Sequence, residues 1–103
     1  MSCAAKISID ATSPIEGPFT IDLEIGTPYR CDTGEWACRL SLDGLYYGLP
    51  DIRGEDSLQA LCLAVSTALT LLRDFRRDGG TLQIDGDEFP LEAYWFRPVE
   101  TDD

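Results

Sequence analysis

Histidine and asparagine are both missing from these 103 residues, and basic residues are scarce, with 8 Lys+Arg set against 19 Asp+Glu for a formal net charge of −11. Each shortage excludes something. Without histidine there is no Ser-His-Asp or Cys-His nucleophile pair, no His-ligated zinc and no imidazole acid–base group. The shortage of Lys and Arg speaks against binding DNA or RNA, because displacing phosphate counterions needs clustered positive charge. The same shortage speaks against an anionic membrane surface. A long hydrophobic run is also lacking. The most apolar stretch, Leu58 to Leu72, is interrupted by Gln59, Ser66, Thr67 and Thr70, and reads as too short and too polar to cross a bilayer. No apolar segment follows a basic start, so no leader is expected. These features together predict a cytoplasmic location.

What is present suits a single α+β domain over residues 1–103, with 99–103 as a flexible acidic tail. Four cysteines (Cys3, Cys31, Cys38 and Cys62) have no C-x-x-C spacing, and they read as reduced thiols rather than as a disulfide or zinc framework. Cys38 and Cys62 fall on expected core faces. Cys31, beside Arg30, is the one thiol with an electropositive neighbour. Seven arginines to one lysine, with no asparagine, suggest a GC-rich bacterial genome.

Alternation of apolar and polar residues predicts strands over 4–11 (Ala5, Ile7, Ile9 and Ala11 inward), over 19–25 (Phe19, Ile21, Leu23 and Ile25 inward) and over 36–42 (Trp36, Cys38, Leu40 and Leu42 inward). Residues 26–35 read as a loop. Asp43-Gly44 then predicts a two-residue hairpin pairing Leu42 with Leu45, Leu40 with Tyr47 and Cys38 with Leu49, closed by Pro50. Asp56, with Gln59 three residues on, is a capping box. It opens a helix of about 22 residues whose apolar face is Leu58, Leu61, Cys62, Val65, Leu69, Leu72 and Phe75. Arginines in its last turn and Gly79-Gly80 end it. A second Asp-Gly hairpin, at Asp85-Gly86, sets Leu82 opposite Phe89. The expected architecture is an antiparallel sheet of about six strands, in the order ββββ-α-ββ, packed on one long helix.

Three constellations invite chemical readings. Asp32-Thr33-Gly34 spells the triplet of aspartic proteases, whose retroviral members are homodimers. It follows Tyr29-Arg30-Cys31 instead of an apolar strand, so a solvated turn fits it better. Asp85-x-Asp87-Glu88 is too compact for a calcium loop, whose ligands spread over about twelve residues, and reads as an exposed turn. The acidity itself is uneven, with −4 over residues 31–56 and −6 over 85–103. Aromatics lie in the same two segments. Tyr46 should point outward, and Tyr94, Trp95 and Phe96 cannot all face inward. Aromatic groups with an acidic rim suit a protein-binding patch, for which Tyr46, Asp51, Asp85, Asp87, Glu88, Tyr94 and Trp95 are the candidates. No cofactor or metal is expected.

Trp36-x-Cys38, Gly44-Leu45 and Ile52-x-Gly54-x-Asp56-Ser57-Leu58-Gln59-Ala60-Leu61 resemble a family of small, uncharacterised bacterial domains with a Trp-x-Cys strand and a Gly-x-Asp-Ser-x-Gln-Ala-Leu helix start. The resemblance covers about residues 36–75. It implies an α+β fold and a bacterial source, and it brings no activity or catalytic residues. The expected function is a non-enzymatic module that binds another protein, a basic one by charge, in the manner of toxin-immunity proteins. An acidic dimeric secretion chaperone is the alternative, followed by a dimeric aspartyl hydrolase using Asp32. A homodimer is left open.

Overall fold

The computed structural model describes residues 3–94. Trp95, Phe96 and the expected acidic tail 99–103 lie outside the described residues. The fold is α+β, with one long helix laid over antiparallel strands. The strands are divided between two sheets instead of the single sheet of about six that alternation suggests. Five form one sheet in the order β5-β2-β1-β7-β8, and three form another in the order β3-β4-β6. Their ranges are β1 Cys3–Ser13, β2 Gly17–Gly26, β3 Tyr29–Arg30, β4 Trp36–Cys38, β5 Leu40–Asp43, β6 Ile52–Gly54, β7 Thr81–Ile84 and β8 Asp87–Glu88.

The division falls at Arg39. The run from Trp36 to Leu42 sets Trp36, Cys38, Leu40 and Leu42 on one face, yet it is two strands. Up to Cys38 it pairs with β3 and β6, and from Leu40 it pairs with β2. Ala37 and Cys38 are consecutive and both fully buried, although they lie on opposite faces of β4. Residues 26–35, expected as a loop, supply the short strand β3.

The chain turns at Asp43-Gly44 as expected, but the ladder pairing Leu40 with Tyr47 and Cys38 with Leu49 does not form. Leu42 bridges to Tyr46, and its carbonyl accepts from the amides of both Leu45 and Tyr46. Residues 44–51 then leave the sheet, and β6 returns to the smaller sheet. By contrast the Asp85-Gly86 hairpin forms as expected. Asp85 and Gly86 both have positive φ (53° and 85°), as a type I′ turn requires. The Phe89 amide donates to the Leu82 carbonyl, and both side chains are in the core.

The helix α1, Ser57–Arg77, begins as its sequence indicates. The Asp56 carboxylate accepts from the Gln59 amide at 2.8 Å. The Gln59 side chain reaches back one residue further than a standard capping box, accepting from the Glu55 amide at 2.7 Å. At the far end Gly80 donates to the Phe75 carbonyl, closing the helix in a Schellman pattern.

The buried stripe of α1 differs from the expected one. Ala60, Ala64, Ala68, Leu69 and Leu72 are buried, Leu61, Val65 and Phe75 are half-buried, and Leu58 and Cys62 are exposed. Alanine lets the helix backbone approach the sheets closely, so the stripe turns toward the alanines and away from the bulkier leucines. The core joins these residues to Ile9, Ile21, Leu23, Ile25, Leu40, Leu42, Leu82, Phe89 and Leu91. The helix includes Ser57 and a final turn beyond Leu72, so by length and composition it reaches what a membrane crossing asks, contrary to the count from Leu58 to Leu72 alone. Here it lies across the sheets with 28% of its apolar window buried.

Candidate functional site

The outer face of the smaller sheet gathers Tyr29, Cys31, Glu35, Asp51 and Arg53. Its origin is a matter of register. Tyr29 pairs with Ala37 and Ala37 with Arg53, so these three share one face. Side chains alternate along a strand, and the same face therefore carries Cys31, Glu35 and Asp51, each two residues from a member of that row. The opposite face carries Trp36, Cys38, Ile52 and Gly54 toward α1.

Hydrogen bonds tie the outer face together. The Tyr29 hydroxyl donates to Asp51 Oδ2. Arg53 Nη1 donates to Glu35 Oε2 at 2.7 Å and approaches Cys31 Sγ at 3.5 Å. Thr33 Oγ1 also donates to Glu35 Oε2, at 3.2 Å. The hydrogen bond to Asp51 holds the Tyr29 phenol above its ordinary pKa, because ionising it would set two anions side by side. Arg53 is raised as well, first by the charge of the neighbouring Cys31 sulfur and then by its bond to Glu35. All of this is accessible to solvent, with the Arg53 and Glu35 side chains 57% and 43% exposed.

Replacing Asp51 with asparagine removes the negative charge and keeps the shape. Tyr29 is then expected to titrate at lower pH, nearer the ordinary value of about 10. Ultraviolet titration of wild type, Asp51→Asn and Tyr29→Phe would assign the phenolate signal. An unshifted Tyr29 in Asp51→Asn would refute the coupling.

Asp32-Thr33-Gly34 occupies the exposed turn between β3 and β4. The Cys31 amide donates to the Glu35 carbonyl and the Gly34 amide to the Cys31 carbonyl, as expected of a hairpin end. Cys38 is a core residue, its thiol donating to the Gly26 carbonyl at 3.2 Å and pushed up in pKa by burial. All four cysteines are free thiols. Among the described residues no three acidic or cysteine side chains are grouped as a metal's ligands would be.

The residues singled out in the sequence do not form one patch. Asp51 belongs to the face just described. Tyr46 is 41% exposed in the segment after β5, next to the still more exposed Tyr47. Asp85, Asp87 and Glu88 are exposed at the β7–β8 turn. Strand β8 is one edge of the larger sheet, and β5, which leads into the smaller sheet through Arg39, is the other. Three strands separate those two edges. The acidic segments 31–56 and 85–94 therefore mark opposite sides of the molecule.

Tyr94 stacks on Phe89 with ring centroids 5.3 Å apart. Two residues before it, Glu92 is bound by Arg76, which holds that carboxyl below the usual range. Trp95 lies outside the described residues. Tyr29, Glu35 and Arg53 were not singled out from sequence, although Tyr29-x-Cys31, Glu35-x-Ala37 and Asp51-x-Arg53 each carry the two-residue spacing of a shared face.

Fold and site together define a small α+β protein with a charged, tyrosine-bearing face on its lesser sheet. No family model matches the chain, and neither a curated protein nor a solved structure matches it.

Proposed function

We propose that this protein is a cytoplasmic bacterial binding module without enzymatic activity, of the immunity-like kind, and that it takes a basic protein partner. The observation that carries this reading is the Tyr29–Asp51 pair beside Arg53 on an open sheet face. Tyrosine and arginine are enriched among residues that dominate binding energy, and acidic neighbours speed the approach of a basic partner. The exposed Tyr46 and Tyr47 extend the aromatic character of the segment leading into β6. Four free thiols suit a reducing compartment. The bacterial source rests on the arginine bias and on the resemblance of residues 36–75.

The test is affinity capture from a bacterial lysate with the wild-type protein and with Tyr29→Ala/Asp51→Ala. The expected result is a basic protein retained by wild type, released as salt rises and lost with the double variant. A partner held equally by the double variant, or one indifferent to salt, would overturn the assignment.

A further inference from the structure

The outward side of α1 departs from what a two-layer protein presents to water. Such a helix normally shows charged residues on the side away from its sheet. Here no charged residue occurs from Ser57 through Leu72, in a chain of net charge −11. Leu58 is 68% exposed and Leu63 43%, with Cys62 and Ser66 exposed between their turns. Gln59, Leu63, Ser66, Thr70, Arg73 and Arg77 follow one another at alternating spacings of four and three, so they run as one stripe along the helix. The outer face of the larger sheet, in contrast, displays Lys6, Asp10 and Asp22.

We propose that this stripe is a two-fold interface between two copies of the chain, with the helices antiparallel and crossing near Ser66. Charge selects both the occupant and the direction. Two copies carrying −11 each repel over most of their surfaces, and the uncharged stripe is where that repulsion is least. Its ends are complementary. Glu55 and Asp56 precede the helix, while its other end, Arg73, Asp74, Arg76, Arg77 and the cap residue Asp78, sums to +1. Arg77 also bonds Asp74 within its own helix. An antiparallel pairing about Ser66 sets the acidic start of each copy against the basic end of the other and opposes the helix dipoles, whereas a parallel pairing matches like with like. Ser66 and Cys62 are small enough at the crossing for the helices to approach closely.

The size of the stripe sets the strength. The helix is about 31 Å long at 1.5 Å per residue and about 10 Å wide, so it offers roughly 300 Å² of footprint per copy. A standard interface buries about 800 Å² per partner. A dimer on this footprint is weak and reversible, and it leaves the outer face of the smaller sheet uncovered.

Sedimentation equilibrium between about 5 and 500 μM tests this. Wild type is expected to rise from its monomer mass of 11.4 kDa toward twice that value. Leu63→Glu and Ser66→Arg, both at exposed positions, should remain monomeric with unchanged circular dichroism. Maleimide labelling of Cys62, followed by peptide mass, should slow several-fold in wild type as the dimer forms, while labelling of Cys3 does not. A monomer mass at every concentration would overturn the proposal, as would a dimer that survives in both variants. Neutral phosphatidylcholine vesicles complete the test. A protein that stays monomeric but binds them through the same stripe would assign it to lipid and refute the pairing.

Discussion

Gly44→Ala is expected to remove about 4 kcal/mol of stability, close to the whole margin of many small domains. Two independent effects meet at this residue. Its φ is +104°, a conformation costly to any residue with a side chain, by about 1–3 kcal/mol. A Cβ placed there would also lie 2.1 Å from the carbonyl oxygen of Thr20, a backbone atom in the middle of β2. Relieving that contact means moving a strand, and overpacking of this kind costs about 1–3 kcal/mol more. The melting temperature should fall by about 20 °C, at roughly 4–8 °C per kcal/mol for a domain of this size. Gly48→Ala separates the two effects. Gly48 also has positive φ, but nothing lies within 4 Å of its Cβ position, so only the conformational cost applies. Calorimetry showing equal losses for the two variants would refute the close approach.

Gly54→Ala is expected to cost about 2–3 kcal/mol by close approach alone. Gly54 lies at the end of β6 with ordinary backbone geometry, and a Cβ there would fall 2.5 Å from the amide nitrogen of Ala60 and 2.9 Å from its Cα. Both are helix backbone, so neither can swing aside. The helix would have to withdraw from the smaller sheet and loosen the packing of Ala60 and Ala64. Guanidinium unfolding should show a lower midpoint with an unchanged slope, the mark of lost stability without an altered denatured state. An unchanged midpoint would mean that the helix rests on the strand less tightly than the structure shows.

Gly54 also shows what the sequence could and could not convey. Gly-x-Asp-Ser-x-Gln-Ala-Leu announces a capped helix, and Asp56 and Gln59 make bonds of the expected kind. Asp85-Gly86 announces a hairpin that exists. These signals are local, since the atoms concerned are a few residues apart. Asp43-Gly44 carries the same local signal and turns the chain, but the strand expected after it does not follow, since the chain goes on to pair with β4 through Ile52–Gly54 instead. The buried stripe of the helix is likewise set by tertiary distances. Counting apolar residues selects Leu58 and Cys62, but the distance between helix and sheets selects Ala60, Ala64 and Ala68. The break at Arg39 left no trace in the alternation of Trp36, Cys38, Leu40 and Leu42.

The site followed the same pattern. Asp51 was legible as an acidic residue near aromatics, and the acidic turn at Asp85 and Asp87 was legible as exposed. That Tyr29, Glu35 and Arg53 join Asp51 depends on the pairing of β3, β4 and β6, three strands of two or three residues each. Segments so short carry almost no periodicity of their own. Their hydrogen-bonded register creates the face, and register between distant segments is a tertiary property.

The pairing of β1 bears on how the chain is made. Strand β1 is joined to β2 along nearly its whole length but to β7 only through Asp10, Ala11 and Thr12, against Gln83, Leu82 and Thr81. During synthesis the β1–β2 hairpin is complete once Gly26 has left the ribosome, while its second partner arrives some 55 residues later. At about 5–20 residues per second, that edge of β1 stands open for roughly 3–11 seconds. An open strand edge is a template for pairing with another nascent chain. Because β7 then covers only Asp10, Ala11 and Thr12, the stretch of that edge from Cys3 to Ile9 has no strand beside it among the described residues even in the finished protein.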